Sequence, residues 1–174
     1  MERQNAFKWK NQPVTLVGPE LKAGDKAPDF KVVAPDDAII TLKDTPNKIR
    51  IFSAVPSLNT GVCSAQTKRF DEELAKLGDA VACYTFSMDL PFLQGWFCTT
   101  NNIKLNKTVS DHREASFGAA YGVLIKELRL LSRAVFVLDP QGVIRYAEYV
   151  PDAPIQPNYD QALSSVKSLL VPTR

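Results

Sequence analysis

The sequence predicts one α/β domain in which helices cover both faces of a central mixed β-sheet. Apolar stretches of strand length alternate along the chain with stretches of helical periodicity, and a strand pair joined by a tight turn precedes the last helical stretch. The 174 residues are 45% hydrophobic, which suffices for one core. Since no repeat or linker interrupts the pattern, we expect residues 1–174 to form a single domain.

The first 18 residues predict a β-hairpin that extends this domain. Phe7, Trp9, Val14 and Leu16 alternate with polar residues around the turn-forming segment Asn11-Gln12-Pro13. Such alternation is typical of two strands with one face on the body of the protein.

Three further strands are expected before the first helix. Phe30 to Val33 and Ile39 to Leu42 are short apolar stretches separated by Asp36-Asp37, which favours a turn. The longer apolar stretch from Ile49 to Val55 predicts a buried strand.

A loop and a helix follow that strand. Residues 56–62 contain proline, asparagine, serine and glycine, and beyond Cys63 the apolar residues Phe70, Leu74 and Leu77 recur at helical spacing among charged ones. Cys63 is therefore expected at or just inside a helix N-terminus.

The middle of the chain continues the alternation. Val81 to Phe86 predicts a buried strand, and Asp89-Leu90-Pro91 predicts a helix start with an acidic cap and an early proline. Cys98 then falls near the end of that short helix or in the loop beyond it. Thr108-Val109 predicts a brief strand, and Arg113 to Tyr121 predicts a helix that Gly122 ends.

A hairpin and a helix complete the pattern. Ala134 to Leu138 and Val143 to Val150 flank the turn Asp139-Pro140-Gln141-Gly142 and predict antiparallel strands. Asn158, with Gln161 three residues later, resembles a capping box and predicts the start of the last helix. Together these elements favour a thioredoxin-like fold.

Composition excludes several classes of function. The 21 basic and 19 acidic residues are interspersed, so we expect no nucleic-acid partner. No apolar run approaches the roughly 18 residues of a membrane span, and the N-terminus lacks the apolar core of a signal peptide, so we expect a cytoplasmic protein without membrane contact.

The three cysteines favour redox chemistry over a structural disulfide framework. In a reducing compartment a disulfide is more often transient and catalytic than structural. Only one histidine, His112, is present, and no Cys-x-x-Cys pair could anchor zinc, so we expect no metal and no cofactor. A reactive Cys63 needs help to form a thiolate, which a helix N-terminus and a nearby arginine would supply.

At this point the residues carry a resemblance. Pro56 to Cys63 resembles the Pro-x-x-x-Thr-x-x-Cys loop of peroxiredoxins, specifically of the bacterial-type thiol peroxidases, which are atypical two-cysteine peroxiredoxins. The similarity covers nearly the whole chain through these further segments: Pro13–Leu16, Gly24–Phe30, Asp89–Phe92, Phe97-Cys98, Ser110–Arg113, Phe117-Gly118, Tyr121–Val123 and Ser132–Asp139.

The resemblance implies a role for four residues. Cys63 would be the peroxidatic cysteine, which attacks a hydroperoxide and becomes a sulfenic acid, with Thr60 as its hydrogen-bond partner. Arg133 would be the cation that holds thiolate and peroxide. Cys98 would be the resolving cysteine, which forms an intrachain disulfide with Cys63. Cys83, inside an apolar strand, would be structural and inert.

The resemblance also implies partners and a movement. Thioredoxin would reduce the disulfide, and two chains would pair, with Phe92, Trp96 and Phe117 as possible apolar contacts. Bridged Cα atoms must lie within about 7 Å. If Cys63 stands at a folded helix start and Cys98 in a different element, we therefore expect both segments to unfold locally before the disulfide forms.

Two other functions remain open at the level of sequence. A thioredoxin-like protein could sense peroxide or bind a partner, with oxidation of Cys63 as its switch. A disulfide oxidoreductase acting on protein thiols is disfavoured because the chain has no Cys-x-x-Cys pair.

Overall fold

The computed structural model describes residues 1–171, so residues 172–174 of the predicted domain lie outside the described part. In chain order, the strands are β1 (Glu2–Trp9), β2 (Gln12–Val17), β3 (Lys31–Val33), β4 (Ile39–Thr41), β5 (Ile49–Ala54), β6 (Val81–Ser87), β7 (Asn106–Ser110), β8 (Leu124–Ile125), β9 (Leu130–Leu131), β10 (Ala134–Leu138) and β11 (Ile144–Tyr149). The α-helices are α1 (Gly61–Leu77), α2 (Pro91–Thr100), α3 (Ser116–Ala120) and α4 (Tyr159–Leu170).

The central sheet is mixed, as the sequence predicts. Its seven strands run in the order β11-β10-β5-β6-β7-β3-β4. The pairs β5–β6 and β6–β7 are parallel, and all other neighbouring pairs are antiparallel. The β5–α1–β6 and β6–α2–β7 connections are βαβ crossovers, which bring the carboxyl ends of β5 and β6 to one edge of the sheet. The loop before Cys63 starts at that edge.

Helices pack on opposite faces of the sheet because β5 and β10 alternate their side chains. Ile49 and Ile51 point to one face, where they pack with Phe70 of α1 and Val166 of α4. Phe52 points to the other face, into a cluster of aromatic rings. Both faces are covered, so these central strands are buried throughout.

The aromatic cluster on the second face includes α3. Phe117 stacks on Phe86 with ring centroids 3.7 Å apart, and Phe30 meets both Phe52 and Phe86 edge-on. Phe117 is fully buried here, so the expectation that it contacts a second chain is wrong.

The N-terminal hairpin forms, with its turn at Lys10-Asn11 instead of the expected Asn11-Gln12-Pro13, and belongs to a second, smaller sheet. Lys10 and Asn11 adopt the left-handed conformation that a two-residue hairpin turn requires. Strand β2 pairs with β8, which pairs with β9, giving the order β1-β2-β8-β9. Phe7 and Leu16 pack there against Ile125.

One of two helix starts differs from the sequence expectation, and the other agrees with it. Helix α3 begins at Ser116 instead of Arg113 because Ala115 is left-handed and the Asp111 carboxylate accepts the amides of Phe117 and Gly118. Asn158 caps α4 as predicted by accepting the Gln161 amide.

No helix within residues 1–171 is long and apolar enough to cross a lipid bilayer.

Candidate active site

Cys63 lies in the first turn of α1, at the edge where the central parallel strands end. Strand β5 leads into the loop 55–60, Thr60 is the N-cap residue, and α1 begins at Gly61. The Cys63 side chain is completely buried, in a small apolar cluster with Val55, Leu58 and Phe97. The first amides of a helix are unpaired within the helix and carry the positive end of its dipole, which favours an anion at this position.

Arg133 brings a positive charge directly to this sulfur. It precedes β10, whose first residue pairs with Ala54 of β5, so Arg133 stands beside the loop that leads to Cys63. Arg133 is 1% exposed, and both terminal nitrogens of its guanidinium lie 3.5 Å from Cys63 Sγ. A guanidinium at this distance in a water-poor site stabilises a thiolate.

Gln66 fixes the direction of the guanidinium. Arg133 Nη1 donates to Gln66 Oε1 at 2.9 Å, and Arg133 Nη2 donates to the Ala153 carbonyl at 2.8 Å. Gln66 Nε2 donates in turn to Ser53 Oγ at 2.6 Å. The sequence reasoning missed Gln66, although a glutamine one turn after Cys63 on the apolar face of α1 was a signal that a buried polar partner exists.

Thr60 lies close to Cys63 but bonds a different atom. Its hydroxyl donates to the Ser57 carbonyl at 3.2 Å, and its own carbonyl accepts the Ser64 amide. The expected hydrogen bond from Thr60 to the Cys63 sulfur is not among those present in residues 1–171. In this conformation Thr60 shapes the loop and the start of α1.

A cavity of about 500 Å³ opens in front of Arg133 and Thr60. Its wall on one side is the turn of the N-terminal hairpin, which contributes Trp9 and Lys10, and on the other side Pro154. The cavity reaches Arg133 and the residues Thr60–Val62, whereas Cys63 itself is buried and does not line it.

Cys98 lies in the last turns of α2 and has different surroundings. Its Sγ is 3.4 Å from Thr108 Oγ1 on β7, and burial raises the pKa of the thiol, while the Thr108 hydrogen bond acts in the opposite direction. Cys98 lines a second cavity of about 460 Å³, together with Pro35 and Tyr84. Arg133 does not line this second cavity.

Cys63, Cys83 and Cys98 are free thiols. Cys63 and Cys98 lie in different helices and have different polar neighbours, although both contact the same apolar cluster. Cys83 is buried in β6, and burial strongly raises the pKa of its thiol. Residues 1–171 contain no group of three or more His, Cys, Asp or Glu side chains that could hold a metal ion. His112 is half-buried after β7.

Asp89 does not cap α2, which corrects the expectation from Asp89-Leu90-Pro91. Leu90 is the N-cap residue, and no side chain caps this helix. The Asp89 carboxylate instead accepts the Ser57 hydroxyl and the Leu58 amide, both at 2.8 Å, in the loop before Cys63. This contact joins segments more than 30 positions apart, so local sequence patterns could not reveal it.

The chain is similar to known proteins over most of its length. The Redoxin family model matches residues 22–163. The thiol peroxidase of Bacillus subtilis is 54% identical over 162 residues, which cover 93% of this chain and 96% of that protein.

Solved structures extend the similarity to the fold. A peroxiredoxin-like protein from Aquifex aeolicus is 40% identical with a TM-score of 0.87, covering 95% of this chain and 97% of that one. A thiol peroxidase from Chromobacterium violaceum has a TM-score of 0.84 at 16% identity, with coverage of 93% and 95%. The thioredoxin-like fold predicted from the sequence is thereby confirmed.

Proposed function

The chain belongs to the Redoxin family and to its thiol peroxidase group, and on this premise we propose how its own residues reduce hydroperoxides. Thiol-dependent peroxide reduction is the activity of this group, and the chain is an enzyme of that kind. The observation that carries the assignment of residues is the placement of both terminal Arg133 nitrogens 3.5 Å from the Cys63 sulfur, at a helix N-terminus.

The first step is displacement at the peroxide oxygen–oxygen bond. The Cys63 thiolate attacks one oxygen, an S–O bond forms, and the O–O bond breaks. The leaving oxygen takes a proton and departs as water or an alcohol, and Cys63 becomes a sulfenic acid. Arg133 stabilises the thiolate and the charge that develops on the leaving oxygen, and Thr60 keeps the loop in place for in-line attack.

The second step regenerates the enzyme through Cys98. The Cys98 sulfur attacks the sulfenic sulfur of Cys63, a disulfide forms, and the sulfenic oxygen leaves as water. A dithiol then reduces the disulfide by exchange, and we assign this role to thioredoxin. Because Cys98 faces Thr108 and another cavity, both segments have to open before the disulfide forms.

We further propose that the described chain acts as one domain, in the cytoplasm, as a homodimer. Support for pairing comes from helix α2, where Phe92 is 83% exposed and Trp96 is 61% exposed. Large apolar side chains that are exposed together mark contact surfaces more often than isolated ones do.

The experiment is peroxide consumption coupled to NADPH through thioredoxin and its reductase. Cys63→Ser and Cys98→Ser are expected to lose turnover, whereas Cys83→Ala is expected to keep it. Full activity without Cys63 would refute the assignment. If the wild-type protein forms the disulfide with peroxide but no thiol donor supports turnover, then oxidation of Cys63 as a sensing switch becomes the better explanation.

A further inference from the structure

A single carboxylate connects the loop before Cys63 to the start of the helix that carries Cys98. On the loop side, Asp89 Oδ1 accepts the Ser57 hydroxyl, and Asp89 Oδ2 accepts the Leu58 amide, each at 2.8 Å. Leu58 packs in the apolar cluster around Cys63. The carboxylate therefore holds the loop through one side chain and one backbone group.

On the other side, the same residue is tied to α2 and the sheet. Ser87 at the end of β6 donates its hydroxyl to Asp89 Oδ2 at 2.8 Å, and Gln94 of α2 donates to Ser87 Oγ at 2.9 Å. Ser110 of β7 donates to the Asp89 carbonyl at 2.5 Å. Ser87, Gln94 and Ser110 are fully buried, so their bonds are shielded from water.

We infer that Asp89 is a positioning residue that latches the Cys63 loop to the Cys98 helix and thereby sets how often both segments open together. The inference rests on the proposed function, in which Cys63 reacts with peroxide while the segments are closed and forms the disulfide only after they open. Opening the loop away from α2 breaks the bonds from Ser57 and Leu58 to an ionised acceptor, which are stronger than bonds between neutral groups.

The latch affects the two steps unequally. While the closed state dominates, weakening the latch changes its population very little, so the reaction of Cys63 with peroxide keeps nearly the same rate. The open state is the minor one, so its population, and with it the rate of disulfide formation, rises in proportion to the opening equilibrium. A sulfenic acid that forms the disulfide sooner is exposed for a shorter time to a second peroxide.

The test is Asp89→Asn, in which an NH₂ group replaces one of the two oxygens that accept these bonds. The protein is mixed with hydrogen peroxide, quenched with an alkylating agent at set times, and analysed by mass spectrometry for Cys63 sulfenic acid, disulfide and sulfinic acid. We expect disulfide formation about tenfold faster, sulfenic acid formation changed by less than twofold, and sulfinic acid per turnover reduced about tenfold. A tenfold change corresponds to about 1.4 kcal/mol, as expected for one bond to a charged acceptor.

Three further variants separate a latch from general destabilisation. Ser57→Ala removes the bond to Asp89 Oδ1, together with a longer bond in which Ser57 Oγ accepts the Asn59 amide at 3.3 Å. It should shift the ratio of disulfide to sulfinic acid in the same direction as Asp89→Asn, but less. Val166→Ala removes volume from the core under α4 and should lower the melting temperature without changing the ratio. Asp79→Asn, at an exposed acid after α1, controls for charge.

The outcomes distinguish a failure of the proposed function from a failure of the Asp89 latch. If wild-type Cys63 forms no sulfenic acid, the proposed function fails. If wild-type Cys63 does form sulfenic acid, but the ratio of disulfide to sulfinic acid is the same in Asp89→Asn as in the wild type, only the latch is refuted. A Val166→Ala variant that shifts the ratio as much as Asp89→Asn would also refute it.

Discussion

The surroundings of Cys63 and of Cys98 differ in the charge state that each favours. Cys63 is fully buried, yet the Arg133 guanidinium lies beside its sulfur and the residue stands in the first turn of a helix. Both features favour an anion at this buried position. Cys98 is only half-buried, yet its nearest polar partner is the neutral hydroxyl of Thr108, and burial raises the pKa of its thiol. Under the proposed function, the charge beside the sulfur and not burial alone decides which cysteine reacts with peroxide.

This difference supports the proposal that Cys63 and Cys98 act in separate steps. A thiol that stays protonated in the closed structure does not compete with Cys63 for peroxide, since the thiolate is the nucleophile. Once its helix opens and water reaches it, Cys98 regains the reactivity of an ordinary thiol. The contrast between the two cysteines can be tested by removing the charge beside Cys63 or by altering the surroundings of Cys98.

The largest effect is expected from the charge at Cys63. Arg133→Ala in a Cys98→Ser background should slow sulfenic acid formation by about 10²–10³, the range found when a buried group that stabilises developing charge is removed. Arg133→Lys should recover part of the rate, because a lysine keeps the charge but cannot present two nitrogens to the sulfur at once. The measurement is the second-order rate constant with hydrogen peroxide by rapid mixing.

Arg113→Ala is the matched control, since Arg113 forms an exposed ion pair with Asp37 and is expected to leave this rate unchanged. Equal rates for Arg133→Ala and the parent protein would mean that the helix N-terminus alone prepares Cys63, and the contrast between the two cysteines would lose its cause.

A smaller effect, of several-fold, is expected from the environment of Cys98. In a protein that carries Cys63→Ser and Cys83→Ala, alkylation of Cys98 by iodoacetamide should be several-fold slower at pH 8 than alkylation of an unstructured cysteine peptide. The rate should continue to rise at a pH where the peptide has levelled off, because the raised pKa delays formation of the thiolate.

Linkage gives the sign of a related stability change. The folded state holds the Cys98 proton to higher pH than the unfolded state does, so this group lowers the free energy of unfolding as pH rises above about 8.5. Cys98→Ala should remove that part of the pH dependence in chemical denaturation. The same slope with and without Cys98 would contradict the assignment of its raised pKa.

The sequence predicts the sheet and the position of Cys63 because both depend on local patterns. Strand-length apolar stretches and helical spacing are visible in a single segment, and Cys63 follows its loop directly. The partners of these residues are set by tertiary contacts instead. Arg133 stands 70 positions from Cys63, and only the family resemblance indicates its role. Asp89 follows the pattern of a helix cap, while its carboxylate binds a distant loop.

Sequence patterns also do not predict the shortest strands, because these strands depend on tertiary contacts. Strands β8 and β9 have two residues each, which is too short for any periodicity, and they form because β2 offers an unpaired edge. Thr108 was predicted only as part of a brief strand. Its contact with Cys98 depends on how α2 packs on β7, which no pattern in either segment specifies.

The smallest expected effect tests that contact. Thr108→Val keeps the shape of the side chain but removes the hydroxyl, so the Cys98 thiolate loses a stabilising hydrogen bond and the pKa of the thiol rises further. Alkylation of Cys98 at pH 8 should become about threefold slower, which corresponds to the lower end of the roughly 0.5–1.5 kcal/mol that such a bond contributes. Thr108→Ser retains the hydroxyl and should alkylate at the parent rate. Faster alkylation of the valine variant would mean that Thr108 acts mainly by holding α2 closed over Cys98, and the difference between the two cysteines would then lie in access to the sulfur more than in its charge.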